Sequence, residues 1–137
     1  MKTALRLLFH LVVALLAIIG LHALLFPEMA CAQPADLVRV NDEVNRSIRY
    51  RSDLDQYGRP DYWVGSPASN EGDCEDYALT KYDRLGRGRV VVVGWQNERI
   101  HRLRGFHAVL VVDGWVLDNI ERRVVPVETA RRYYTGL

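Results

Sequence analysis

Past residue 32 the chain has one lysine, Lys81, and one cysteine, Cys74. Arginine carries nearly all the other positive charge, which is a composition bias and not a binding motif. The 18 basic and 17 acidic residues almost cancel, so nothing calls for nucleic acid or another strongly charged partner. A lone thiol also excludes a fold stapled by internal disulfides. Repeats, low-complexity tracts, a glycine-rich phosphate loop and a His/Cys metal motif are all missing. These absences leave the chemistry to a few carboxylates, histidines and the one thiol.

The first 32 residues read as an export leader. Lys2 and Arg6 precede an apolar run from Leu7 to Phe26, and Ala30-Cys31-Ala32 offers a signal-peptidase site after Ala32. The run is nearly long enough to span a bilayer, so an uncleaved anchor is the alternative. On either reading residues 33–137 form one exported domain, in the periplasm or beyond. It touches the membrane only through that leader, and its length suits a single core. An unpaired thiol in an oxidising compartment is a liability unless it is used, which makes Cys74 a candidate nucleophile.

The stretch Asn70-Glu71-Gly72-Asp73-Cys74-Glu75-Asp76-Tyr77-Ala78-Leu79 carries most of the information. Asp73 suits an N-cap, and Cys74, Ala78, Tyr82 and Leu85 fall on one side of a helix that Gly86 ends. A thiol in the first helical turn meets unpaired N–H groups and the positive end of the dipole, which favour a thiolate. Asp73, Glu75 and Asp76 work against that, because nearby negative charge raises a thiol pKa. Either calcium neutralises the three acids, or they suit a helix N-terminus and no metal binds.

The rest of the chain reads in order. Leu37, Val40, Val44 and Ile48 predict a helix over about 36–48, capped by Asp36. Residues 49–67 read as an ordered loop whose aromatics pack on the domain, with Trp63 also a candidate groove residue. Arg89 to Trp95 predicts a central strand, and Ile100 with Leu103 a short edge strand. Phe106 to Asn119 predicts a hairpin about Asp113-Gly114. A two-residue turn there puts Val111 opposite Val116 and Val109 opposite Asp118. His107 and Asp118 then lie on one face as diagonal neighbours, roughly 7–8 Å apart at the backbone. Val124 to Val127 adds a strand, and residues 128–134 a helical turn.

A thiol on a helix, a histidine on a strand and a carboxylate on the next make a nucleophile, a base and an orienter. The blocks Val40-Asn41, Val44-Asn45, Tyr57-Gly58, Asp61-Tyr62-Trp63, Gly72 to Leu79, His107 to Leu110 and Val116 to Asn119 resemble the bacterial transglutaminase-like cysteine proteinases. That family includes a periplasmic protease that releases large surface adhesins. The resemblance implies an α+β, papain-like or transglutaminase-like fold, with the nucleophile helix packed on a small antiparallel sheet. It implies Cys74, His107 and Asp118 as a triad, and calcium near Asp73, Glu75 and Asp76. The implied activity is a thiol peptidase acting on a protein or peptide through an acyl-enzyme. The Cys74 N–H would serve as one oxyanion donor, and Asn70 or Trp63 is a candidate for the second. Acyl transfer to an amine, cell-wall amide cleavage and a non-catalytic peptide or calcium binder are the alternatives.

Overall fold

Helix α1 (Ala35–Ser47) buries Leu37, Val40, Asn41 and Val44 along one side, the spacing the sequence predicts. This computed structural model describes residues 32–137; the segment expected to be a leader, apart from Ala32, lies outside the described residues. Pro34 occupies the N-cap position in place of Asp36, which sits in the first turn and pairs with Arg87 at 2.6 Å. Strand β1 (Arg49–Tyr50) follows, then a short helix α2 (Asp53–Tyr57), then strand β2 (Glu71–Gly72), which runs parallel to β1. The aromatics of this region do not pack down as expected: Tyr50 is 63% and Trp63 44% exposed. Backbone hydrogen bonds to buried side chains order the loop instead. Asp53 accepts from the Tyr62 N–H, Asp76 from Val64 N–H at 2.7 Å, and Thr80 from Ser66 N–H at 2.8 Å.

Helix α3 (Cys74–Leu85) starts at Asp73, and the Asp76 carboxylate reaches back to the Asp73 N–H at 3.3 Å in a capping-box arrangement. Gly86, at φ +64°, ends it in the left-handed conformation that glycine tolerates. Its core-facing residues are Tyr77, Ala78 and Lys81, and Tyr82 is 40% exposed. The helix is therefore turned from the Cys74–Tyr82 line, because the tyrosine hydroxyl at 82 gains from water while Tyr77 has an internal partner. Tyr77 packs with Val40, Val44 and Ile48, and its hydroxyl donates to the Ile48 carbonyl at 2.6 Å. That bond joins α1 to α3.

The sheet has five antiparallel strands: β3 (Arg89–Trp95), β4 (His107–Val112), β5 (Trp115–Leu117), β6 (Val125–Pro126) and β7 (Tyr134–Thr135), in the order β6-β5-β4-β3-β7. Asp113 (φ +51°) and Gly114 (φ +81°) make the two-residue turn between β4 and β5. The pairs Leu110–Leu117, Val111–Val116 and Val112–Trp115 are in the predicted register. Alternation then splits the core. Val93, Val109 and Val116 pack with Val125, Ala130 and Tyr134 on one face, and Leu110, Val112 and Leu117 with Leu37 and Val124 on the other.

One expectation fails near the sheet edge and another holds only in part. Residues around Ile100 and Leu103 form helix α4 (Glu98–Arg104), because Asn97 accepts from the Arg99 N–H and basic residues suit the last turn. After the short helix α5 (Val127–Ala130) the chain turns back as β7, so Tyr134 lies in a strand beside Trp95 and not in a helical turn. Among the described residues no helix is long and apolar enough to cross a membrane.

Candidate active site

His107 opens β4 and Asp118 follows β5, so the tight turn brings them together from eleven residues apart. Their side chains meet at 2.8 Å, His107 Nε2 to Asp118 Oδ1, with 4% and 1% of each exposed. Burial alone would raise the Asp118 pKa. Hydrogen bonds from His107, the Tyr134 hydroxyl and the Ile120 N–H outweigh it and hold the carboxyl below its usual range. The Tyr134 bond to Oδ2 is 2.5 Å and the Ile120 bond to Oδ1 is 2.9 Å. Trp95 stacks over the imidazole, its centroid 5.7 Å away. Asn45, on α1, donates to the Asp118 carbonyl at 2.8 Å and fixes the backbone of the same residue.

Cys74 and His107 line one open cleft of about 710 Å3, together with Tyr50, Trp95, Arg104 and Phe106. The thiol also interacts with the backbone N–H of Ala108, the residue after His107, so α3 delivers sulfur to the start of β4. A helix N-terminus on its own favours a thiolate. Here the thiol is pushed up to about 12, chiefly by burial and then by the Glu75 and Asp73 carboxyls, with the Ala108 amide opposing. Its Sγ donates to Glu75 Oε2 at 3.3 Å. Glu75 is itself pushed up to about 8 by burial and its hydrogen bond with Asp73, and Asp76 up to about 6 by burial. Burial and the crowded acids thus both oppose formation of the thiolate.

Those acids form two groups. Asp73, Cys74 and Glu75 make one; Asp53, Asp73 and Asp76 make the other, each with ligand atoms within 4.8 Å of one another. Buried oxygens without a hydrogen-bond partner point to a cation: Asp53 Oδ1, Asp73 Oδ1 and Glu75 Oε1. The all-carboxylate group suits a hard cation better than one containing a thiol. Thus Asp73 and Asp76 come together as expected, Asp53 joins them from α2, and Glu75 sits nearer the sulfur. Asn70 and Trp63 are not among the cleft-lining side chains, whereas the amides of Asn45 and Asn119 are. Sequence reading missed Asp53, Asn45 and Tyr134. Asn45 was visible in helical register with Asn41; the other two depend on long-range docking.

The family model described as bacterial transglutaminase-like cysteine proteinase matches residues 27–136. Among solved structures, calcium-bound LapG of Legionella pneumophila aligns with a TM-score of 0.52 at 23% identity, over 72% of this chain and 60% of that one. Two further Legionella pneumophila LapG structures, one EGTA-treated, align at a TM-score of 0.49 and 23% identity, over 72% of this chain and 60% and 58% of theirs. No curated protein matches the sequence. The α+β, transglutaminase-like fold is shared with calcium-bound LapG, of whose length this chain spans 60%.

Proposed function

The chain belongs to the bacterial transglutaminase-like cysteine proteinases, and from that premise we propose that it cleaves an amide bond of a protein or peptide through a Cys74 thioester. With the leader expected over residues 1–32, the substrate is one met outside the cytoplasm. One observation carries the reading: His107, held by buried Asp118 at 2.8 Å, lines the same cleft as Cys74, the only cysteine after residue 32.

Asp118 takes Nε2, which leaves Nδ1 to receive the Cys74 proton as sulfur attacks the carbonyl carbon. His107 passes that proton to the departing amine as the C–N bond breaks. It then takes a proton from water as the water oxygen attacks the thioester, and returns that proton to sulfur as the C–S bond breaks, which releases the acid and restores the thiol. The Cys74 N–H, at the head of α3, would donate to the oxyanion.

The Asp53–Asp73–Asp76 group fits calcium, since all its donors are hard oxygens and two of them lack partners. Bound there, calcium would supply the positive charge that offsets the acids around Cys74.

The direct test uses p-nitrophenyl acetate with the full chain. We expect a burst of p-nitrophenol, an acetyl group on the Cys74 peptide by mass spectrometry, and its loss to water. An adduct that leaves only when an amine is added would make the protein a transferase. No adduct at all would make it a binder.

Tyr134 offers a second check. Tyr134→Phe removes the 2.5 Å bond and leaves Asp118 Oδ2 buried without that donor. A hydrogen bond to a charged group contributes about 1.5–3 kcal/mol, so steady ester turnover should fall about tenfold. Turnover equal to the parent's would remove Tyr134 from the machinery.

A further inference from the structure

Helix α4 is seven residues long and buries none of them. A helix this short is marginal without packing to hold it. Its apolar side chains stay in water instead: Leu103 is 77% exposed, and Phe106, just beyond the helix, 71%. Both line the cleft that holds Cys74 and His107, and the exposed Ile120 joins them from the segment after β5. Apolar groups gathered in the open and rimmed by charge mark a binding surface.

The charge of the cleft says what it binds. Arg104 and Arg122 line it, and no aspartate or glutamate does. Asp73 and Glu75 flank Cys74 without lining the cleft, and Glu121 is taken up by Arg123 at 2.9 Å. Arg51 and Arg87 each hold a carboxylate, but neither cleft guanidinium has an ion pair or hydrogen bond among the described residues. Arg104 is nonetheless placed. Its guanidinium carbon lies 5.6 Å from the centroid of the Trp95 ring, and that ring stacks on His107 at 5.7 Å. A guanidinium over an aromatic face keeps its N–H edge for a carboxylate, which it meets with two parallel bonds. We propose that the cleft selects a segment with an acidic side chain beside an apolar one. The acid is held by Arg104, with Arg122 adding positive charge. Extended chain advances about 3.3 Å per residue, so the acid stands within about three residues of the scissile amide. The inference rests on the peptidase reading, and its test uses probes that need no turnover.

The probes are chloroacetyl peptide amides and acetyl-peptidyl chloromethyl ketones, which bring the leaving side and the acyl side of a substrate to the sulfur. Sulfur displaces chloride in each, and no probe has a free terminal carboxylate. Each is built of leucines with one aspartate, or one asparagine of the same shape, at the first, second or third position from the reactive carbon. Alkylation of Cys74 in the full chain is followed on its peptide by mass spectrometry. At one position at least, aspartate should react about tenfold faster than asparagine, the scale of one charge-assisted pair. Added salt should shrink the gap. Arg104→Glu should reverse the preference, and Arg104→Lys should keep part of it. Arg99→Glu, on the same helix but outside the cleft lining, should leave it as in the parent. Equal rates for aspartate and asparagine at every position in the parent would overturn the proposal. So would a preference that survives Arg104→Glu or vanishes in Arg99→Glu. If Arg104→Glu does not fold, Arg104→Gln takes its place and should bring the two rates level; unfolding of both makes Arg104 a stability element and also overturns it. A parent that prefers aspartate yet is never acetylated by p-nitrophenyl acetate would lose the peptidase reading and keep the acidic subsite.

Discussion

Cys74→Ser is expected to lower ester and peptide turnover at least about a thousandfold, the scale of losing a nucleophile from a coupled triad. Serine is nearly isosteric and leaves the helix start intact, since Asp73 and Asp76 make the cap. Melting should shift by no more than about 0.5–1 kcal/mol of stability. The chemistry changes far more. The thiol is already held up to about 12 by burial and by Glu75 and Asp73. An alkoxide in the same place would be much harder to form, because a hydroxyl ionises far less readily than a thiol. Circular dichroism and the p-nitrophenol burst, measured together, decide it. A folded serine variant that keeps the burst would remove Cys74 as nucleophile.

The second large effect is that of calcium removal. Excess EGTA should suppress turnover and lower the melting temperature, and calcium should restore both. Ligand at a hundred times its Kd stabilises by about 2.7 kcal/mol, which for a domain near 100 residues is roughly 10–20 °C. Magnesium should substitute poorly, because it demands tight octahedral geometry and gives up water reluctantly. Asp53→Asn and Asp76→Ala should each blunt the response, Asp53 being the ligand that comes from outside the Cys74 helix. Calorimetry on the full chain reads binding without reference to activity. Full turnover and unchanged melting in EGTA, with no heat on adding calcium, would leave the acids as helix caps and loop anchors.

How much of this was legible in the sequence depended on how local the cause was. The Asp113-Gly114 turn and the alternation of β4 and β5 are local, and they predicted a His107–Asp118 meeting that closes at 2.8 Å. The start and stop of α3 at Asp73 and Gly86 were local too. Tyr134 was not, because its hydroxyl reaches Asp118 only after β7 folds back along β3. Asp53 joins the acids only because α2 docks against the head of α3, where its N–H donates to Asp73 at 3.1 Å. Lys81 was hidden for another reason: a pattern of apolar residues counts lysine as surface, yet here it faces the core. At residues 98–104 the spacing of Ile100 and Leu103 fitted a helix as well as an edge strand, and the Asn97 cap decided it.

The two-residue turn also constrains how this protein can change length. His107 and Asp118 share a face only because each strand has its present residue count up to Asp113-Gly114. One residue inserted in or deleted from either strand reverses the facing of everything beyond it. The imidazole and the carboxylate would then sit on opposite sides of the sheet unless a bulge absorbed the change. Homologous chains should therefore vary freely in the loop before β2 or around α4, yet keep these two residues eleven positions apart. A change of that spacing by one residue should therefore abolish the His107–Asp118 contact even where both residues are kept.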